Sequence, residues 1–220
     1  MGQPKLTLYV DILSPFAYMA YYLTRNSPAF QSLPITYIPI LLGGLMQQAK
    51  NQPPLNILNK DKWINAERLR WSRAFNIPIA EETPSPFPQS TVNTQRALVY
   101  LWLKEPEGVL PRALDALYHA FWVERKTIGK VEVIAEVLGP VLGAEGTRRC
   151  LEGVKSEEVK QALVGNTKRS FEEGAFGLPW FVAENEKGEK EGFWGVDHMG
   201  QLLEFLGIEP SGEKGYKSLL

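Results

Sequence analysis

The chain has 220 residues, 44% apolar and 11% aromatic, enough to core one large domain or one domain carrying an insertion. Its 24 basic and 25 acidic residues leave a net charge of −1 with no long like-charge run, which argues against a nucleic-acid footprint and against an electrostatic membrane anchor. A single cysteine, Cys150, excludes a disulfide framework and a C-x-x-C pair, and with only His119 and His198 beside it a metal site is not expected.

Lys5 to Val10 reads as a strand apolar on both faces, as in the middle of a covered sheet. It ends at Asp11, and Ser14-Pro15 then opens a helix expected to reach Thr24 or Arg25. A helix start of this kind gathers backbone N–H groups and favours an anion: phosphate, carboxylate or thiolate. Ile35 to Ile40 is a second strand with Pro39 near its end, so the first forty residues form a βαβ unit with parallel strands. The longest near-apolar run, Tyr37 to Met46, holds Pro39, Gly43 and Gly44 and is too short to span a bilayer. No signal-peptide pattern precedes the first strand, so an intracellular protein is expected.

Gly43-Gly44 is expected to open a short polar segment leading to the loop Lys50 to Pro54. From Asp61 to about Leu163 the chain reads as almost wholly helical. Asp61 is expected to cap a helix that stops near Pro78, and Thr83 to Pro88 is a loop. Helices follow over Thr91 to Lys104, Arg112 to Glu124, and Val131 to Leu138, the last closed by Gly139-Pro140. Ser156 caps another, with Glu157 and Glu158 in its first turn. A hairpin (Trp180 to Ala183, Gly192 to Trp194) and a last helix, Met199 to Leu206, capped by Asp197, complete the pattern.

βαβ, a helical block, then ββα make an α/β thioredoxin-like fold split by a large all-helical insertion. Residues 1–50 and 170–210 would form the thioredoxin-like domain, 51–169 the insertion, and 211–220 a tail. In that arrangement the Ser14 turn faces the loop Gly174 to Trp180. A cis Leu178-Pro179 bond would leave the Leu178 N–H and C=O free to pair with the backbone of a peptide-like ligand.

LSPF at Leu13 to Phe16, LGGLMQQAKNQPP at Leu42 to Pro54, FWVE at Phe121 to Glu124, GAFGLPWFV from Gly174 and GFWGVDHM from Gly192 resemble the kappa-class glutathione transferases. That class shares a DsbA-like fold with the 2-hydroxychromene-2-carboxylate isomerases. The resemblance implies glutathione as co-substrate, no metal, a small hydrophobic electrophile as second substrate, and a homodimer. It allows a cytoplasmic, mitochondrial or peroxisomal location; the final Lys217-Ser218-Leu219-Leu220 is not a Ser-Lys-Leu address.

Carried over residue by residue, it implies that Ser14 is catalytic, its hydroxyl meeting the glutathione sulfur and raising the thiolate fraction. Read locally, Ser14 is first an N-cap, a role compatible with that one. Pro15 and Phe16 would fix the turn and the pocket wall. Asn51 and Lys60 would hold the glycyl end, Leu178 and Pro179 the cysteinyl unit, and Asp197 the γ-glutamyl ammonium. Val196 stands where the family often has serine, which removes one side-chain hydrogen bond and leaves the N–H groups of Val196 and Asp197. Two other readings stay open: a glutathione-dependent cis–trans isomerase, and a non-catalytic module that binds glutathione or a peptide. Cys150 reads as a small packed residue, His119, on a largely apolar helix, as structural, His198 as solvent-facing, and the tryptophans at 63, 71 and 102 as insertion core and roof.

Overall fold

The computed structural model describes residues 2–209. Lys5–Val10 forms β1; alternation sends Leu6, Leu8 and Val10 into the larger buried cluster and Tyr9 into a smaller one with Ile38, Ile40 and Trp180. A strand apolar on both faces belongs inside a sheet, and the order is β2–β1–β3–β4. β2 (Ile35–Pro39) runs parallel to β1, with Tyr37 opposite Leu8. β3 (Trp180–Glu184) runs antiparallel to β1, with Phe181 opposite Leu8, and forms a hairpin with β4 (Lys190–Trp194). Pro39 closes an edge strand, where a missing N–H is tolerated.

α1 (Pro15–Asn26) links the parallel pair and buries Ala17 to Tyr21 and Leu23. The helices between the two parts of the sheet are α2 (Leu42–Gln48), α3 (Lys60–Phe75), α4 (Val92–Lys104), α5 (Val109–Trp122), α6 (Val131–Gly153) and α7 (Glu157–Glu172). α5 places Leu114, Leu117, Tyr118 and Phe121, at i, i+3, i+4 and i+7, in the same cluster as Leu6 and Leu8. α7 packs on α2 and β2; the Thr167 hydroxyl accepts from Leu41 N–H at 3.0 Å, and the Asn166 amide donates to the Pro39 carbonyl at 3.2 Å. A 3-10 turn (Val196–His198) leads into α8 (Met199–Phe205).

Four expectations about helix extents and caps need correction. Gly43 and Gly44 lie inside α2, where Leu42 and Leu45 are buried and supply the packing that two glycines do not. Asp61 is not the cap of α3: Asn59 holds that position in a left-handed conformation, and Asp61 sits in the first turn. Gly139-Pro140 does not close α6. The helical run passes Pro140 and breaks at Gly143 (φ 70°, ψ 172°), a conformation open to glycine, then continues to Gly153. Asp197 makes no capping bond to α8; it lies in the 3-10 turn, and His198 takes the cap position.

Of these three tryptophans, Trp71 packs partly buried against the core, whereas Trp63 and Trp102 are exposed; the buried aromatic residues of the insertion are Tyr118, Phe121 and Trp122 of α5, beside the aliphatic faces of α4 and α5. The Ser156 cap is as expected, its hydroxyl accepting from Val159 N–H at 3.3 Å. The tail from 210 onward lies outside the described residues.

Candidate active site

Ser14 is the N-cap of α1, extended at φ −85° and ψ 119°, with Pro15 as the first helical residue. Its Oγ accepts from the Ala17 N–H at 3.1 Å, which satisfies one of the helix's free donors. The hydroxyl hydrogen is not used by that bond and is free to donate. Ser14 is buried in the protein, while Pro15 and Phe16 are half-buried and Phe16 packs against the larger cluster. The turn thus presents a hydroxyl donor and the positive end of a helix dipole at one place.

The second wall comes from the far end of the chain. The Leu178-Pro179 peptide is cis, as expected from the sequence. β1 and β3 pair as far as Tyr9 opposite Trp180; extending that register two residues brings Leu178 level with Asp11, just before the Ser14 turn. Leu178 also shares the smaller buried cluster with Ala17, the residue that donates to Ser14. Outside the strand ladders, no backbone hydrogen bond among the described residues uses the Leu178 N–H or C=O. The Pro179 carbonyl accepts from Gly195 N–H at 3.1 Å, which fastens the loop to the Val196–His198 turn, and that turn packs against α1. Ser14, Leu178-Pro179 and Val196-Asp197 therefore converge.

Val196 is buried and the Asp197 carboxylate is exposed, 3.4 Å from the His198 Nδ1. Gly195 has φ 94°, and a Cβ there would run into the Asp197 carboxylate. Asn51 is tied in from another direction: its amide donates to the Phe176 carbonyl at 3.0 Å and its oxygen accepts from Gln52 N–H at 2.9 Å. It thereby holds the Lys50 to Pro54 loop beside the loop that carries Leu178. Lys60 begins α3, is exposed, and has no carboxylate partner among the described residues.

Cys150 is fully buried, and burial pushes its thiol up to about 12, so it is a packed thiol and not a nucleophile. His119 is exposed and faces Glu124 at 3.3 Å, a surface pair. No group of three or more His, Cys, Asp or Glu among the described residues could hold a metal ion.

The sequence reading passed over Asp11. It is fully buried beside the Ser14 turn and accepts from Leu13 N–H at 3.0 Å, Leu42 N–H at 2.8 Å and the Thr91 hydroxyl at 3.2 Å. Desolvation raises its pKa to about 6 against the pull of those three donors. Gln95 completes the node: its amide donates to the carbonyls of Val10 at 2.9 Å and Ile40 at 2.6 Å, and its oxygen accepts from Ile12 N–H at 3.4 Å. One carboxylate ending an apolar strand three residues before Ser14 was the available signal; Thr91 and Gln95 carry none, because only the fold brings α4 there.

Residues 5–207 match the family model described as the DSBA-like thioredoxin domain. The chain is 28% identical over 210 residues to a glutathione S-transferase kappa 1 of Rattus norvegicus, covering 92% of this chain and 90% of that one. It is 25% identical over 210 residues to a glutathione S-transferase kappa 1 of Caenorhabditis elegans, covering 92% and 91%. Among solved structures, a 2-hydroxychromene-2-carboxylate isomerase superposes with a TM-score of 0.76 at 19% identity, over 92% of this chain and 94% of that one. The match from β1 to the end of α8, together with the four-stranded sheet and its cis-proline loop, makes this chain a member of the DSBA-like thioredoxin domain family.

Proposed function

We propose that the protein is a glutathione transferase of the kappa type. The observation that carries this is the Ser14 hydroxyl, which caps α1 through its lone pair and keeps its hydrogen for a ligand sulfur, in a chain similar along most of its length to kappa transferases. Glutathione would lie along Leu178, whose free N–H and C=O match an extended peptide backbone. The Asp197 carboxylate would meet the γ-glutamyl ammonium, and the Val196 and Asp197 N–H groups its carboxylate. Asn51 and Lys60 would hold the glycyl end. Pro15 and Phe16 shape the wall beside the sulfur.

With its thiol deprotonated, the sulfur accepts the Ser14 O–H and lies at the positive end of α1, so its pKa falls. The thiolate then attacks a small hydrophobic electrophile: a C–S bond forms and, with an aryl halide, halide leaves with the bonding pair. No protein thiol competes, since Cys150 is buried. The reading extends to reduction of hydroperoxides, an intracellular location and a homodimer, the last to be read directly by sedimentation. The decisive variant is Ser14→Ala, expected to lose conjugation about a hundredfold, the size of one lost donor to a developing anion. Full activity in that variant would refute the mechanism.

A second reading has its own support. The chain is 23% identical over 206 residues to a 2-hydroxychromene-2-carboxylate isomerase of Sphingobium xenophagum, covering 91% and 97%. Isomerisation would use the same thiolate, adding to an enone-like carbon and leaving after bond rotation. Turnover of hydroxychromene carboxylate without conjugation of aryl halides selects it. Val196 is the feature that favours a non-catalytic glutathione-binding module, which calorimetric binding without any turnover would identify.

A further inference from the structure

The carboxylate of Asp11 lies next to the site, and the chemistry above does not use it. Its Oδ1 accepts from Leu13 N–H at 3.0 Å; its Oδ2 accepts from Leu42 N–H, at the head of α2, and from the Thr91 hydroxyl, at the head of α4. Its backbone carbonyl accepts from Ser14 N–H at 3.1 Å and from the Tyr118 hydroxyl of α5 at 3.3 Å. Three helices and the catalytic turn meet on one residue. Among the described residues no Lys, Arg or His pairs with it; Tyr118 is the titratable group coupled to it, and Tyr18 of α1 stacks on Tyr118.

A fully buried carboxylate without a counter-ion is costly, and serine, threonine or asparagine would cap such a turn with less desolvation. What a carboxylate alone offers is acceptance at both oxygens with no hydrogen of its own. An amide in its place would point an N–H at one of the three donors. The three donors come from different elements, so no single local turn explains them.

We propose that Asp11 is a positioning residue for the thiolate site: ionised, it clamps the Leu13–Ser14 turn to α2 and α4, so that the Ser14 hydroxyl and the head of α1 stay aimed at the ligand sulfur. The ligand in this statement rests on the glutathione reading; the clamping of the turn rests on the hydrogen bonds alone. Protonation gives one oxygen a hydrogen that faces a donor. With the carboxyl titrating at about 6, the clamp loosens as pH falls through that value, and thiolate stabilisation weakens with it.

The test uses the full chain, glutathione as the probe, and the variants Asp11→Asn and Thr91→Val. In Asp11→Asn the ultraviolet thiolate band of bound glutathione should titrate at higher pH. The kcat for an aryl halide should fall about ten- to a hundredfold, with KM for glutathione changed far less, as for a displaced reacting group. Thr91→Val, which keeps the carboxylate and removes one donor, should shift both in the same direction by less. Amide hydrogen exchange at Leu13 and Ser14 should quicken in Asp11→Asn. A folded Asp11→Asn with unchanged thiolate titration and unchanged exchange overturns the proposal. If that variant does not fold, an unchanged thiolate titration in Thr91→Val overturns it instead. Failure of the wild-type chain to bind glutathione refutes the glutathione reading, while exchange at Leu13 and Ser14 still decides the clamp.

Discussion

Asp11 has a consequence for stability that runs opposite to its expected effect on the site. Its folded pKa of about 6 lies above the ordinary value of 3.8, so the native state holds the proton to higher pH than the unfolded chain does. The penalty for keeping it ionised is absent below the unfolded value, grows between the two, and is complete above the folded one. Roughly two pKa units correspond to about 3 kcal/mol, so stability should decline by that order between about pH 4 and pH 6. Denaturant unfolding across that range, compared with Asp11→Asn, reads the difference; a wild-type curve as flat as the variant's would refute the assignment. Val196 offers a gain instead of a loss. Val196→Ser places a hydroxyl where a γ-glutamyl carboxylate is proposed to lie, and glutathione should bind about three- to tenfold tighter by calorimetry, the net worth of one ordinary added hydrogen bond. Gly195→Ala should weaken binding, since its Cβ would displace the Asp197 carboxylate.

Gln95 shows how one helix side chain holds two strand ends. Gln95→Leu leaves the Ile40 carbonyl and the Ile12 N–H without a partner, while the Val10 carbonyl keeps the Ile40 N–H, and should cost about 2 kcal/mol or more by thermal or denaturant unfolding, at about 1–3 kcal/mol per stranded group. None of that was legible beforehand. The elements that could be read carried local signals: β1 by its apolar run, α1 by Ser14-Pro15, α7 by Ser156 and its two glutamates, the hairpin by its two short strand segments. α2 was missed because Gly43-Gly44 speaks against helix locally, and tertiary packing of Leu42 and Leu45 overrides it. α6 was cut short because Pro140 reads as a stop, whereas the chain absorbs it and turns at Gly143. That the Ser14 turn faces the Leu178 loop follows from the βαβ and ββα pattern, whereas the place of Asp197 beside them is visible only through the resemblance; spacing along the chain contains nothing that pairs residue 14 with residue 197.

At the scale of the whole molecule, the insertion and the thioredoxin-like part share a single core. Leu114, Leu117 and Phe121 of α5 lie in one buried cluster with Leu6 and Leu8 of β1, and with Leu202 and Leu203 of α8. We propose the boundaries at residues 50 and 170 as divisions of topology only. The protein should therefore unfold in one cooperative transition, and a chain with residues 51–169 replaced by a short linker should fail to fold; two resolved calorimetric transitions would contradict this. The sheet order carries a further consequence, for synthesis. β1 is flanked by β2, which follows it closely, and by β3, which is made only after the whole helical block. Between Val10 and Trp180 the ribosome must add 170 residues (180 − 10), on the order of ten to thirty seconds at ordinary elongation rates. For all that time one side of β1 is a bare, apolar edge with nothing to pair with. A nascent chain stalled before residue 180 should be the species that aggregates or that a chaperone holds, and release of β3 from the ribosome should be the event that frees it.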